Sequence, residues 1–137
     1  YDADYGNLEL TLARNGWEAQ FGYELLGSDG GVAAVQTPLA TGHRFQGWAD
    51  KFLATPAAGV VDTWLGASGK VAGYGLALAY HSYEADAGNA DYGTEWNAQV
   101  SRSFAGRYTL TLKYADYAAD AFATDTRKAW LMAEAKF

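Results

Sequence analysis

Large apolar and polar side chains alternate along most of this chain, one residue at a time. Near the carboxyl end, Leu131 and Phe137 share one parity, and Lys128 and Glu134 take the other. A period of two predicts a β-strand with one apolar and one polar face, because successive side chains of a strand point to opposite sides. The same period recurs in seven segments, at residues 5–14, 16–26, 60–69, 72–84, 92–104, 107–118 and 126–137.

The connections between these predicted strands alternate between short and long. RNG, GKVAG and FAGR have the length and the glycine of tight hairpin turns. EADAGNADYG and ADAFATD are longer, and residues 27–59 form a far longer connection. Strands joined in this way form an antiparallel sheet with tight turns at one end and long loops at the other.

Aromatic residues mark both ends of the apolar rows, and the chain is rich in them, with 10 Tyr, 6 Phe and 5 Trp among 137 residues. Outer-membrane β-barrels carry such rings at the two membrane–water interfaces, with short periplasmic turns and long outer loops. We therefore predict an all-β fold, an antiparallel transmembrane β-barrel of the bacterial outer membrane with its apolar face toward lipid. The predicted interface aromatics are Trp17, Tyr74, Tyr80, Tyr92, Phe104, Tyr108, Tyr114 and Phe137.

The polar rows carry charged and amide side chains, which suit a wet lumen better than a lipid pocket. The residues of this parity include six carboxylates and three lysines, so this part of the predicted wall is net acidic. Rings of carboxylates favour cations. The predicted pore-lining residues are Glu9, Glu18, Glu24, Asp62, His81, Glu95, Asn97, Gln99, Lys113, Lys128 and Glu134.

Seven antiparallel strands leave the first and last strands parallel, which single-chain bacterial barrels avoid. The stretch GVAAVQTPLAT, residues 31–41, is a candidate eighth strand, but its alternation is poor and Pro38 has no N–H to donate. We therefore expect residues 1–137 to be one barrel segment, the C-terminal seven or eight strands of a larger barrel. The chain opens on YDADYG rather than on a charged and apolar leader, as expected of a mature form or a fragment.

Residues 27–59 form a predicted extracellular loop. A short amphipathic helix is predicted inside it, because apolar residues recur at intervals of three and four positions. These residues are Phe45, Trp48, Ala49, Phe52 and Leu53. The apolar side of this helix either packs beneath the loop as a small satellite core or enters the pore and narrows it. The candidate constriction residues are Phe45, Trp48, Asp50 and Lys51.

The charge balance indicates the partners. The chain has 10 Lys and Arg against 16 Asp and Glu, a net charge of −6, which argues against nucleic acid as a partner. Most acidic residues fall on the predicted outer side, where they either stay solvated or bind divalent cations that bridge lipopolysaccharide phosphates. Outer-membrane lipids and lipopolysaccharide are therefore the expected partners. Arg102 is unusual, because its parity places it on the lipid face, near the periplasmic end where its side chain can reach head groups.

No motif in the chain predicts a cofactor or a metal site. There is no Cys, and the acidic stretch DAGNAD lacks the spacing of an EF-hand loop. An outer-membrane hydrolase is an alternative, since His81 has inward parity and Asp62 could neighbour it. Ser82 points to lipid, however, so no nucleophile and base assemble, and we expect no catalytic activity.

The chain resembles the C-terminal region of alginate-export-like porins of Gram-negative bacteria in three stretches, TPLATGHRFQGWADKFLATP, HSYEADAGNADYGTEW and LKYADYAADAFATDTRKAWLMAEAKF. The resemblance implies a longer protein that acts as a passive outer-membrane channel for small or polymeric hydrophilic solutes. The best characterised branch of this family passes an anionic polysaccharide through an arginine-rich pore. The wall predicted here differs from that pore, because it is net acidic. The last strand, ending on Phe137, resembles the C-terminal strand that the barrel assembly machinery reads. The alternative function is a small structural or adhesin-like barrel with a plugged lumen.

Overall fold

The computed structural model describes residues 1–37 and 42–137. These residues form nine β-strands: β1 (Tyr5–Arg14), β2 (Trp17–Leu26), β3 (Ser28–Asp29), β4 (Ala33–Ala34), β5 (Val60–Val71), β6 (Tyr74–Glu84), β7 (Asp91–Phe104), β8 (Tyr108–Ala119) and β9 (Thr126–Ala135). Seven strands make one antiparallel sheet in the order β1-β2-β5-β6-β7-β8-β9, and β3 and β4 make a separate pair. Within the described ranges there is no helix, and therefore no helix that is long and apolar enough to cross a membrane.

All seven strands predicted from the alternation are confirmed, with ends shifted by one or two residues. The last one, β9, ends at Ala135 rather than at residue 137. The N–H of Lys136 still donates to the carbonyl of Arg107 at 2.9 Å, so the ladder continues one residue beyond the strand. Phe137 follows with its side chain fully exposed.

The three predicted tight turns are also present, at one end of the sheet that we call the short-turn end. In each, two adjacent residues have φ between 50° and 82°, as a type I′ hairpin turn requires at its central positions. These pairs are Asn15-Gly16, Ala72-Gly73 and Ala105-Gly106. The opposite end, which we call the long-loop end, holds residues 27–37, 42–59, 85–90 and 120–125.

The register brings the apolar rows of all seven strands onto one face. One row of directly paired residues is Leu12, Ala19, Ala67, Leu78, Ala98, Tyr114 and Ala129. The neighbouring row on the other face is Ala13, Glu18, Ser68, Ala77, Gln99, Lys113 and Trp130. We call these the apolar face and the polar face. A slip of one residue in any strand would exchange its two sets of side chains, so the pattern fixes the register.

The two faces differ in what covers them. Large side chains of the apolar face are exposed across the sheet, with Leu65 60% and Leu131 79% accessible. The polar face, in contrast, is buried toward the long-loop end, where Leu26, Phe52, Tyr83 and Tyr117 form a core. The hydrophobic core therefore lies between the sheet and the long segment 27–59, on the face that is the more polar by sequence.

Residues 45–53 do not form the predicted helix. They are turns and bends, because Gln46, Gly47 and Asp50 have φ of 50°, 69° and 57°, far from the right-handed helical region. Apolar spacing alone could not reveal these backbone angles.

Residues 31–37, the described part of the candidate eighth strand, add nothing to the large sheet. Ala33 and Ala34 pair only with Ser28 and Asp29 of β3. The remainder of that candidate, including Pro38, lies outside the described residues.

Tyr92 is buried, 5% exposed, and does not occupy the exposed position predicted for an interface aromatic. The register shifts here, since Tyr83 pairs with Gly93 and Glu84 with Asp91, so Tyr92 has no partner on β6. Gly93 has φ of 102°. An extra residue of this kind is a β-bulge, which can redirect a side chain to the other face of the sheet.

Candidate functional site

Residues 43–52, which we call the docked segment, lie on the polar face and contact strands from one edge of the sheet to the other. Arg44 Nη2 lies 2.7 Å from Glu9 Oε2 on β1. The adjacent His43 stacks edge-on against Trp130 of β9, with ring centroids 4.9 Å apart. In a flat sheet, six spacings of about 4.7 Å would separate β1 from β9 by about 28 Å. Contacts from neighbouring residues to both strands indicate that the polar face curves around the docked segment.

Glu95 of β7 holds the middle of the docked segment. Its side chain is fully buried. Oε1 accepts hydrogen bonds from the backbone N–H of Trp48 at 2.6 Å, from that of Ala49 at 2.8 Å and from Asn97 Nδ2 at 2.6 Å. Oε2 accepts from the Tyr83 hydroxyl at 3.4 Å. Hydrogen bonds to an ionised carboxylate are about twice as strong as neutral ones, so Glu95 anchors the loop backbone to the wall.

A second carboxylate, Glu24 of β2, binds the segment on the other side of the polar face. The buried side chain of Gln46 donates to Glu24 through Nε2, and the Tyr5 hydroxyl donates to the same carboxylate at 3.2 Å. Gly47 lies between the two anchors with φ of 69°, and a Cβ there would come within 2.6 Å of Glu95 Oε2. The close approach and the positive φ both require glycine.

An aromatic cluster secures the carboxyl end of the docked segment. The Phe52 ring is 1% exposed and lies 4.7 Å from Tyr83, 5.3 Å from Phe122, 5.9 Å from Tyr92 and 6.4 Å from Tyr117, between ring centroids. Burying one such side chain stabilises a fold by about 1.5–3 kcal/mol. The Tyr117 hydroxyl lies within hydrogen-bond distance of two backbone carbonyls, that of Tyr92 and, at 3.1 Å, that of Phe122. This cluster therefore joins the long segment to the 120–125 loop.

A half-exposed polar cluster fastens the segment to β8 and β9. Lys128 Nζ lies 2.9 Å from Asp50 Oδ2. Lys113 Nζ donates to His43 Nδ1 at 2.9 Å and lies 4.0 Å from the centre of the Trp48 ring. Because these groups are partly solvated, the ion pair between Lys128 and Asp50 contributes at most about 1 kcal/mol. They set the position of the segment more than its stability.

Asp62 and His81 form a buried pair next to the docked segment. His81 Nδ1 lies 3.0 Å from both carboxylate oxygens of Asp62, and its ring stacks between Trp64 and Tyr83. Within the described ranges no hydroxyl is hydrogen-bonded to His81. The same ranges contain no group of three or more His, Asp or Glu side chains arranged to hold a metal ion.

The structure divides the predicted pore-lining residues into three groups. Five are buried: Glu24, Asp62, His81, Glu95 and Asn97. Of these, His81 also borders a pocket of about 160 Å³ that His43, Arg44 and Trp48 of the docked segment help to line. Three contact the segment: Glu9, Lys113 and Lys128. The remaining three lie toward the short-turn end: Glu18, Gln99 and Glu134. Three of the six carboxylates predicted to line a lumen, Glu24, Asp62 and Glu95, are therefore buried.

Open polar surface remains at the short-turn end. A cavity of about 490 Å³ is lined there by Glu18, Ser68, Lys70, Gln99 and Ser101, together with smaller residues and the edges of Trp17 and Leu76. Both charge signs border it, through Glu18 and Lys70.

The four residues predicted to constrict a pore belong to the docked segment, and the constriction itself stays a prediction. Trp48 contacts Glu95, Asp50 contacts Lys128, the centre of the Phe45 ring lies 5.4 Å from the Arg44 guanidinium carbon, and Lys51 Nζ lies 5.5 Å from the centre of the Tyr117 ring. The anchoring roles of Glu24 and Glu95 were missed. Their position on the polar face, in the half of each strand nearest the long loops, is the signal that could have indicated them.

The chain matches no family model, no characterised protein and no solved structure. The resemblance to alginate-export-like porins therefore depends on the three quoted stretches alone. The function must be inferred from the two faces and the docked segment.

Proposed function

We propose that this chain forms part of the wall of a porin-type outer-membrane β-barrel, a passive channel whose lumen is narrowed by the docked segment. The observation that carries the proposal is the apolar face, which runs across all seven strands and is exposed. Exposed apolar patches beyond a few hundred Å² are rare on soluble monomers and mark contact with a membrane or a partner. Hydrocarbon would cover such a face completely, as in barrels of this class.

The unpaired edges of the sheet bear on how the barrel would close. In the part of the chain that the structure describes, neither β1 nor β9 pairs with a further strand on its outer edge. In hydrocarbon every unpaired backbone group costs several kcal/mol, so only a closed barrel is stable there. Further strands, from the rest of a longer chain or from another copy, would complete the wall between β9 and β1.

The polar face supports passage of hydrophilic solutes. The docked segment occupies the half nearest the long loops, and the 490 Å³ cavity leaves room at the short-turn end. A curved wall with a loop fixed to its inner side produces a channel that is wide at one end and narrow at the other. Outer-membrane lipids and lipopolysaccharide would surround this wall, and the barrel assembly machinery would insert it through the last strand.

One observation favours a second candidate, a structural barrel with a plugged lumen. The docked segment reaches from Glu9 on β1 to Lys128 on β9 and buries the Asp62, Glu24 and Glu95 carboxylates beneath it. In a small barrel, that much filling would close the lumen. The two candidates differ in strand number and in conductance.

Conductance of the whole protein in planar bilayers separates these functions. A channel gives discrete current steps that rise in proportion to voltage, and we expect such steps from the unmodified protein. Replacing residues 43–52 with a Gly/Ser segment of equal length should enlarge the steps. A protein that inserts, as judged by protease protection, but carries no current would contradict the channel and support the plugged barrel.

A further inference from the structure

Arg102 lies on the apolar face near the short-turn end, surrounded by aromatic rings. Its direct neighbours across the sheet are Tyr74 and Leu110. The guanidinium carbon lies 4.7 Å from the centre of the Tyr74 ring and 5.2 Å from that of Phe104. Nη1 donates to the Tyr74 hydroxyl at 2.6 Å. These contacts hold the cation in a defined place, whereas Arg14, the other arginine of this face at this end, lies on the edge strand β1 opposite Trp17.

A second arginine of the same face shows what Arg102 lacks. Arg127, at the long-loop end, is paired with Asp116, its Nε lying 3.1 and 3.2 Å from the two carboxylate oxygens. Among the described residues no carboxylate lies within ion-pair distance of Arg102. A guanidinium has five N–H donors, and hydrogen bonds to these residues engage one of them. Arg102 therefore presents charge and donors without an anion to receive them.

An apolar groove adjoins this guanidinium. It has a volume of about 190 Å³, and Val100, Leu110, Leu112 and Leu131 line it together with the rings of Tyr74 and Phe104. The directly paired residues Val100, Leu112 and Leu131 lie one row farther from the turns than Arg102. The groove thus leads from the cation toward the middle of the sheet.

We propose that Arg102 and this groove form a binding site for one glycerophospholipid, with the phosphodiester on the guanidinium and an acyl chain in the groove. The inference rests on the proposed function, since it requires the apolar face to lie in a membrane. Arg102 is two residues from Phe104 at the end of β7, or about 7 Å along the strand, which is within reach of the head groups. The planar fork of arginine matches phosphate oxygens, and the charge is complementary.

The test measures binding of phosphatidylglycerol to the whole protein in a non-ionic detergent by native mass spectrometry. We expect R102Q to bind about ten-fold more weakly, because it loses a charge-assisted hydrogen bond worth about 1.4 kcal/mol or more. R107Q makes the same change in charge in the adjacent turn and should bind within about two-fold of the unmodified protein. Equal losses in the two variants would overturn the site and leave only general charge attraction.

Further probes separate the parts of the ligand. Diacylglycerol, which lacks the phosphate, and inorganic phosphate, which lacks the chains, should each fail to displace phosphatidylglycerol. Displacement by phosphate alone would overturn the assignment to a lipid. L131A reduces the apolar area that an acyl chain would contact and leaves the charge of the site unchanged, so it should also weaken binding. Unchanged binding of phosphatidylglycerol in both L131A and R102Q would contradict the proposal.

The failure of this site is distinguishable from failure of the proposed function. If the unmodified protein does not insert into liposomes, the channel and the lipid site fall together. If it inserts and R102Q binds phosphatidylglycerol as tightly as the unmodified protein, only the lipid site falls.

Discussion

The E95A variant should lose about 3 kcal/mol or more of its free energy of unfolding, because the docked segment is released. Removing the carboxylate leaves four donors beneath the loop without this acceptor: the N–H groups of Trp48 and Ala49, Asn97 Nδ2 and the Tyr83 hydroxyl. Each buried donor left unsatisfied costs about 1–3 kcal/mol. Urea unfolding of the protein folded in liposomes or detergent measures the loss.

Two variants control this experiment. E95Q keeps an acceptor oxygen in the same place but removes the charge, so its stability should fall between those of E95A and the unmodified protein. E18A removes a carboxylate of the same face that is exposed and receives a single long hydrogen bond from Ser68, at 3.5 Å. It should change the stability by less than about 0.5 kcal/mol. Equal losses in E95A and E18A would show that Glu95 is not the anchor.

The same variant bears on transport. If the docked segment narrows the lumen, E95A should also raise the single-channel conductance, because residues 43–52 no longer lie fixed across the polar face. A variant that is destabilised but has unchanged conductance would mean that this segment stabilises the wall without limiting the current.

The second large effect is expected from a single arginine placed on either face of β6. Leu78 lies in the middle of the apolar face between Ala67 and Ala98, and the adjacent Ala77 borders the 490 Å³ cavity on the polar face. Arginine at the middle of the bilayer costs about 2–4 kcal/mol. L78R should therefore lower the free energy of unfolding in liposomes by that amount, and A77R should have little effect.

The matched pair makes the result decisive. Both variants add the same side chain to the same strand, one residue apart, so the change in net charge is equal. If the apolar face met water instead of lipid, L78R would replace an exposed leucine and would be close to neutral. A neutral L78R beside a destabilised A77R would show that the two faces have been assigned the wrong way round.

The sequence was informative wherever one local rule governs the structure. Alternation located seven strands, and adjacent residues suited to positive φ, such as Asn15-Gly16, located the tight turns. The register followed, since directly paired residues such as Leu78 and Ala98 both belong to apolar rows. Each of these features depends on neighbours within a few residues or on the next strand.

The sequence could not show what covers each face. Glu24 and Glu95 were predicted to line a lumen because alternation gives only the direction in which a side chain points. It does not reveal a loop that contacts the side chain from 22 or more positions away. The prediction of a helix at residues 45–53 was wrong for a related reason. The N–H groups of Trp48 and Ala49 are satisfied by Glu95, so the segment gains from docking the hydrogen bonds that a helix would have supplied.

The bulge beside Tyr92 shows the limit of counting parity. A single unpaired residue between Asp91 and Gly93 transfers Tyr92 from the exposed apolar face to the core around Phe52. Glycine at the following position was the available signal, because a glycine inside a strand often marks a bulge.

Spin labels test the central claim most directly, and the chain has no cysteine to interfere with their attachment. Single cysteines at Leu76, Leu110 and Val100 carry labels on the apolar face, and cysteines at Ala77 and Thr111 carry them on the polar face. In liposomes, the first group should be relaxed by oxygen, which concentrates in hydrocarbon, and the second by a water-soluble nickel complex. Labels at Leu76, Leu110 and Val100 that respond to the nickel complex, in a protein that stays monodisperse without detergent, would contradict the membrane wall and the channel built on it.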